Sequence, residues 1–398
     1  MVFFEKVPLA APDPIFGLNN AFKKDDRASK INLSIGVYKT EDLLTPIFPV
    51  VKLAEAKIFE EEKSKEYLPI EGDAQFIECL GELVFGASLW KEHRARVASC
   101  QSLGGTGALR IGGTFLKEEA AAQLFIPHPT WPNHPAVFSA CGLQVEEYPY
   151  YDMRAHQLDF TKMESFLQTL PTHSIVVLHA SSHNPTGCDP SPQQWRELCT
   201  LFRKKNLIPF FDFAYQGFGN GIEEDPMALR MFMQEGLEML VATSCSKNFS
   251  LYAERVGCLF IVTASKKAAE HVLSRVKQMV RHNYSNPPMH GAKIVSCILS
   301  SPTLRKAWES EVAVARSRIA GMREQLCKML VSQSQGMDFT HIQNTVGMFV
   351  FSGLSKPHVE RLIAEFGIYM TYDGRLNVCG LTQRNIERVV SAMIEVSR

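Results

Sequence analysis

The stretch SCSKNFSLYAERVG, residues 244–257, sets a lysine, Lys247, among serines and an asparagine, where the apolar run 238–243 gives way to small polar residues. Arg255 follows, and a second apolar run, GCLFIVTAS (257–265), begins almost at once. A lysine at a polar turn is ordinarily a solvated surface charge. Here two serine hydroxyls and a guanidinium stand close to the amine in sequence, at the exit of a buried-type strand. That is the setting required by a Schiff-base lysine beside a phosphate-bearing aldehyde.

Outward from this stretch, short runs rich in Val, Ile and Phe alternate with amphipathic segments between about residues 45 and 300. The clearest runs are AAQLFIPHP (121–129), SIVVLHA (174–180), LIPFFDFAY (207–215), EMLVATSCS (238–246) and GCLFIVTAS. Such runs suit strands covered on both faces. Between the second and third, PSPQQWRELCTLFRKKN (190–206) spaces Trp195, Leu198, Leu201 and Phe202 as a helix does, behind a Pro-Ser start and before an Asn stop. The order is βαβ, and it predicts an α/β fold with a mostly parallel central sheet whose strand carboxyl ends form the ligand crevice. After Pro302 a helix is expected over roughly 303–333, with Val312, Ile319, Met322, Leu326 and Met329 on one face. A smaller α+β unit follows and can recruit the N-terminal segment. The expected division is 45–305 for the large domain, and 1–44 with 306–398 for the small one.

Three further constellations carry chemistry. FFDFAYQGFGNG (210–221) places Asp212 among phenylalanines, with Tyr215 close behind. A carboxylate there needs a cation or strong donor, and a structural ion pair would satisfy it. With a candidate Schiff-base lysine one strand later, a protonated ring nitrogen becomes the better partner, because pyridoxal phosphate requires such a carboxylate. LGGTGALRIGG (103–113) is a glycine-rich entry to a helix, in which Gly104, Gly105 and Thr106 can face a phosphate; a close-packed helix start is the plain alternative. It matches neither the P-loop nor the dinucleotide-binding fingerprint. HASSHNPTGCDP (179–190) ends a strand in a turn that aims Asn184 across the crevice. Its histidines, His179 and His183, lack a third ligand at recognisable spacing, so no metal is expected.

The 398 residues are 45% hydrophobic and 21% charged with zero formal net charge, so bulk electrostatics favour neither nucleic acid nor an anionic membrane. No apolar stretch nears the roughly 20 residues of a membrane span. Ten cysteines without a C-x-x-C pair suit reduced thiols. The opening segment reads as neither a secretory leader nor a transit peptide, and a cytoplasmic protein is expected.

In order along the chain, EYLPIEGD (66–73), LGGTGALRIGG, PTWPNH (129–134), HNPTGCDP (183–190), DFAYQGF (212–218), SCSKNFSLYAERVG, YSNPP (284–288) and GRLNVCGLT (374–382) resemble the aspartate aminotransferases of the class I pyridoxal-phosphate-dependent family. The resemblance spans nearly the whole chain. It implies the type I fold of that family, a homodimer with shared active sites, and transfer of an amino group between aspartate and 2-oxoglutarate in ping-pong half-reactions. Lys247 would hold the cofactor as an imine and Asp212 would pair with its ring nitrogen. Tyr215 and Asn184 would bind the ring hydroxyl oxygen, and Trp131 would stack on the ring. Gly104, Gly105, Thr106, Ser244 and Arg255 would hold the phosphate, with Tyr67 reaching in from the other subunit. Arg375, with Gly36 nearby, would grip the substrate α-carboxylate, while Arg281 would cross the interface to the distal carboxylate. Trp131, Asn184 and Phe349 complete the implied substrate site. Two positions depart from the pattern: Gly104 where many members have serine, and Pro132 in place of a glycine. The alternatives are a broader aromatic/aspartate aminotransferase, with Phe349 and Ile15 making room for a ring, and a pyridoxal-phosphate-binding regulator without turnover.

Overall fold

In the computed structural model, which describes residues 4–10, 14–120, 123–334 and 336–398, the apolar runs of the middle of the chain form one seven-stranded sheet. In chain order the strands are β1 (Ile31–Asn32), β2 (Val97–Leu103), β3 (Leu124–His128), β4 (Val145–Pro149), β5 (Tyr151–Asp152), β6 (Gln157–Leu158), β7 (Ile175–His179), β8 (Ile208–Phe213), β9 (Met239–Ser244), β10 (Val256–Val262), β11 (Phe349–Phe351), β12 (Ile368–Tyr369) and β13 (Arg375–Asn377). The large sheet runs β2-β10-β9-β8-β7-β3-β4. Its pairs are parallel except those of β10, which lies antiparallel to both β2 and β9. Ala121 and Ala122 of the first expected strand lie outside the described residues.

Burial on both faces explains why these strands read as unbroken apolar runs. Every residue of β7, β9 and β10 is buried. Val176, Leu178, Phe211 and Val241 enter one apolar cluster, and Ile175, Val177, Phe210 and Leu240 another. Helices cover both faces. Helix α1 (Gly104–Glu119) follows β2 directly, and α2 (Pro192–Lys205) connects β7 to β8. The Pro-Ser start and Asn stop read for α2 bound it as expected: Ser191 caps it, in a reciprocal box with Gln194 that the structure adds, and Asn206 ends it in the left-handed conformation.

Because β7, β8 and β9 are parallel neighbours, the turns after them sit side by side, bringing Asn184, Tyr215 and Lys247 to one edge. The reversal of β10 returns its amino end to that edge, with Gly257 opposite Ser244, so Arg255 joins them. Strand β2 ends there too, Leu103 opposite Val256, and delivers the start of α1. The two chain ends meet elsewhere, where β1 pairs in parallel with β12, while β13 pairs with β11.

The expected long helix is α4 (Pro302–Gln333), reached after α3 (Lys266–Asn283), and it buries Val312, Ile319, Met322 and Leu326. It also braces the lysine turn. Trp308 is fully buried, its ring stacks on Phe249 at 4.6 Å, and its indole N–H donates to the Asn248 carbonyl at 2.6 Å. Trp308→Ala removes the stack and leaves that carbonyl unpaired, so chemical denaturation should show a stability loss of about 3–5 kcal/mol. Trp308→Phe, which keeps the stack, should lose only about 1–2 kcal/mol. Equal losses would mean that the stack contributes nothing.

Candidate active site

The gathered strand ends line a cleft of about 560 Å³. Its floor opens on the start of α1, where Gly105, Thr106, Ser244, Ser246 and Arg255 are all at the surface of the cleft. The approach is close because side chains are missing. A Cβ on Gly105 would lie 3.2 Å from that of Ser244, and one on Gly104 would lie 2.6 Å from Arg255 Nη2. Gly104 also has φ +69°, a backbone conformation that disfavours side chains. The departure from serine at this position therefore does more than remove a hydroxyl: it lets a guanidinium lie against the first turn of the helix. Arg255 Nη1 donates to Ser246 Oγ at 3.2 Å and to the Tyr252 carbonyl at 3.1 Å. Free amides of a first turn, hydroxyls and a guanidinium make an anion cradle.

Asp212 stands in β8 with its carboxylate facing the cleft. Its Oδ2 lies 3.0 Å from His134 Nε2, His134 Nδ1 lies 2.7 Å from Thr130 Oγ1, and that hydroxyl lies 3.4 Å from His179 Nε2. The last link fixes the direction of all the others. The Asn184 backbone N–H donates to His179 Nδ1 at 3.1 Å, so the His179 proton sits on Nε2 and points at Thr130. Thr130 then donates to His134, and His134 Nε2–H donates to Asp212. Burial pushes His179 down to about 3, which keeps its ring neutral. Burial by itself would raise the Asp212 carboxyl; the hydrogen bond from His134 outweighs it and holds the carboxyl below its ordinary value. Asp212 is thus an anion with one oxygen committed to His134. His134, His179 and Asp212 bring three possible metal donors within 4.8 Å of one another. The same chain puts a proton, not a lone pair, on each of the two Nε2 atoms.

Lys247 lies across the cleft from this carboxylate, its Nζ 4.8 Å from the centre of the Tyr215 ring. Burial pushes its amine down to about 8; the Asp212 carboxylate opposes the shift and the Arg255 guanidinium adds to it. Tyr215 accepts a hydrogen bond at its phenol oxygen from Asn184 Nδ2 at 3.3 Å, and burial together with Asp212 raises that phenol above its ordinary value. The other end of the Asn184 amide holds Arg375, whose Nη1 donates to Asn184 Oδ1 at 3.0 Å and whose Nη2 donates to the Ser34 carbonyl at 2.8 Å. Arg375 is 2% exposed, its guanidinium lies 4.5 Å above the Phe349 ring, and its Nε has no hydrogen-bond partner among the described residues. A buried guanidinium without a carboxylate is costly, and its free donor asks for an anion. Gly36 makes room for this stack, since a Cβ there would lie 2.9 Å from Phe349 Cζ.

The structure brings Lys247, Asp212, Tyr215, Asn184, Trp131, Gly36, Gly105, Thr106, Ser244, Arg255, Phe349 and Arg375 to one cleft. Gly104 lies behind it, against Arg255. Tyr67 and Arg281 are elsewhere: Tyr67 is 90% exposed, and Arg281, also exposed, donates to Ser285 Oγ. His134, Thr130 and Tyr252 escaped the sequence reading. His134 is 78 positions from Asp212, and no local spacing announces the pair. Only the demand of Asp212 for a donor could have prompted a search for one.

A lysine with a lowered pKa, an anionic carboxylate, an anion cradle at a helix start and a buried, unsatisfied guanidinium fit an aldehyde cofactor that carries a ring nitrogen and a phosphate. Comparison with known proteins agrees. Residues 28–393 match the family described as aminotransferase class I and II. The aspartate aminotransferase of Salmonella typhi is 46% identical over 99% of this chain and 100% of its own length. The aromatic-amino-acid aminotransferase of Burkholderia pseudomallei, solved covalently bound to pyridoxal phosphate, superposes with a TM-score of 0.96 at 43% identity, covering 100% of both chains. The aromatic amino acid aminotransferase of Psychrobacter sp. B6, cocrystallised with aspartic acid, gives 0.96 at 38% identity over 100% of each chain. The chain belongs to the aminotransferase class I and II family.

Proposed function

We propose that the protein transfers the amino group between L-aspartate and 2-oxoglutarate, giving oxaloacetate and L-glutamate, with pyridoxal 5′-phosphate in the cleft. The observation that carries this reading is the meeting of Lys247, Asp212 and the unsatisfied Arg375 in one cleft. Gly104, Gly105, Thr106, Ser244 and Arg255 would hold the phosphate, Asn184 and Tyr215 the ring hydroxyl oxygen, and Trp131 the ring face. Once bound, the cofactor supplies an aldehyde for amine exchange and a protonated ring that draws charge from the substrate α-carbon. Asp212 keeps a proton on the ring nitrogen, and His134 keeps Asp212 ionised and oriented. Lys247 Nζ takes the proton from the substrate α-carbon, a task that its lowered pKa suits near neutral pH. Arg375 binds the α-carboxylate with a paired geometry that a lysine lacks.

The cleft of one subunit presents Arg375 to a substrate carboxylate and Arg255 to a phosphate, which leaves the distal carboxylate of aspartate unmatched. A homodimer, with Arg281 and Tyr67 of each subunit serving the neighbouring cleft, completes the set. The pairing of β1 with β12 supports a small domain of residues 1–44 and 306–398 beside a large one of 45–305. The ten cysteines, all free, suit the cytoplasm. No helix among the described residues is long and apolar enough to cross a membrane. A second reading, acceptance of aromatic amino acids as well, is supported by the apolar part of the cleft wall, Ile15, Ile35, Val37 and Leu109, and by the likeness to the two aromatic enzymes.

Lys247 gives a pH signature that needs no substrate. In the cofactor-free protein, acylation of Lys247 should rise with pH about a midpoint near 8 rather than near the ordinary value of 10.5. Between those two pH values the native chain holds fewer protons on Lys247 than the unfolded chain does, so its contribution to stability rises with pH there. Mass-resolved labelling over that range checks both the site and the midpoint.

The two arginines should separate by substrate. Arg281→Ala should lower kcat/KM for aspartate and 2-oxoglutarate by roughly thirty- to several-thousandfold, as loss of one partner of a buried charge pair does, and leave phenylalanine nearly untouched. Arg375→Ala should harm every amino acid. An Arg281 that is only a solvated helix-end charge would give small and equal changes. A substrate profile of the native protein with aspartate, phenylalanine and tyrosine fixes the breadth of acceptance.

A further inference from the structure

Gln101 lies on β2 and is 1% exposed, yet none of its polar groups faces the cleft. It sits on the outer edge strand of the large sheet, and every hydrogen-bonding group it has ties down one of two neighbouring segments. Its backbone N–H donates to the Glu71 carbonyl at 2.8 Å, and its Oε1 accepts from the Asp73 N–H at 3.0 Å. Its Nε2 donates to the Pro288 carbonyl at 2.7 Å, and its own carbonyl accepts from the Tyr284 hydroxyl at 3.1 Å. The two segments are also tied to each other, Asn286 Nδ2 donating to the Leu68 carbonyl at 2.9 Å, and Lys277, on the helix that carries Arg281, pairs with Glu71 at 2.7 Å. Gly72, with φ +103°, permits the approach, because a Cβ there would lie 2.3 Å from that of Gln101.

These are the segments that begin with Tyr67 and that follow Arg281. We propose that Gln101 is a positioning residue that holds Tyr67 and Arg281 as one rigid unit and sets where both enter the neighbouring subunit's cleft. The inference rests on the reading that those two side chains act across a dimer. Its physical basis is that both are long, exposed side chains whose placement follows their backbones, the bond of Arg281 to Ser285 staying within its own stretch of chain. Those backbones share a buried amide whose two ends satisfy Asp73 N–H and the Pro288 carbonyl at once. No apolar residue of the same volume satisfies either group. A small displacement of such a unit misplaces the distal-carboxylate grip in the opposite cleft while leaving Lys247 and Asp212 of its own subunit in place.

The test uses Gln101→Met in the full-length holoenzyme. KM for aspartate and 2-oxoglutarate should rise by roughly tenfold or more, with a smaller change in kcat, while KM for phenylalanine changes little. Differently tagged Gln101→Met and Lys247→Ala chains are then coexpressed and the heterodimer is isolated. Its one live cleft belongs to the Gln101→Met subunit and receives Tyr67 and Arg281 from a subunit with an intact Gln101. The heterodimer should therefore show the native KM for aspartate. Persistence of the raised KM in the heterodimer would assign the effect of Gln101 to its own cleft and overturn the proposal, as would an equal change for aspartate and phenylalanine. Asn286→Ala, which removes a single tie, covers the case in which Gln101→Met does not fold; it should show the same substrate selectivity and the same rescue, and absence of either overturns the proposal. Failure of the native protein to transaminate aspartate would count instead against the function proposed above, so the two failures are distinct.

Discussion

A carboxylate among phenylalanines is the constraint around which this molecule is organised. Asp212 sits near the end of a strand whose neighbours Phe210, Phe211 and Phe213 are all buried. An ionised group there is costly unless it is met by donors. His134 meets one oxygen, and a directed chain through Thr130 and His179 back to the Asn184 amide leaves His134 no other orientation. The other oxygen is left for the cleft. The same chain ties β8 to the turns after β3 and β7, so holding the charge and shaping the crevice are one structural act.

The remaining groups reach this carboxylate through topology. A wholly parallel sheet would carry the segment before β10 to the far edge; the reversal of β10 returns Arg255 to the edge where Ser244 and Lys247 lie. Positions without side chains then admit close approach, with Gly104 under the Arg255 guanidinium and Gly36 against Phe349. Arg375 comes from β13 near the C-terminal end of the chain, yet it is joined through Asn184 to Tyr215, so its guanidinium and the turns after β7 and β8 are parts of one hydrogen-bonded assembly, with the Lys247 amine set over the Tyr215 ring. The proposed chemistry needs this rigidity, because proton removal by Lys247 and carboxylate capture by Arg375 must act on the same small molecule.

Much of this was legible in the sequence, for physical reasons. Strands buried on both faces appear as unbroken Val, Ile and Phe runs, and α2 announced itself through its Pro-Ser start, the spacing of Trp195, Leu198, Leu201 and Phe202, and the Asn206 stop. Asp212 stood out because it contradicts its apolar surroundings, and such conflicts mark functional sites; Lys247 stood out because serine hydroxyls and a guanidinium lie near it where a buried-type strand ends. What was not legible depends on distances between remote segments. The direction of β10, the partnership of His134 with Asp212, and the contact of Gly104 with Arg255 leave no local pattern. Gln101 is the extreme case: a lone glutamine in QSLGG reads as an ordinary strand residue, and its four hydrogen bonds to residues 68–73 and 284–288 exist only once those segments fold beside it. The dimer dependence of Tyr67 and Arg281 came from resemblance alone, and their exposure in a single subunit is consistent with it.

The central claim is that Lys247 is the residue that carries the cofactor. Purified protein supplied with pyridoxal phosphate should show a yellow absorbance that borohydride abolishes, and peptide mapping should then find the reduced adduct on Lys247, with Lys247→Ala taking up no stable label. An adduct on another lysine, or no adduct on protein that retains the cofactor, would contradict the assignment on which the whole site is built.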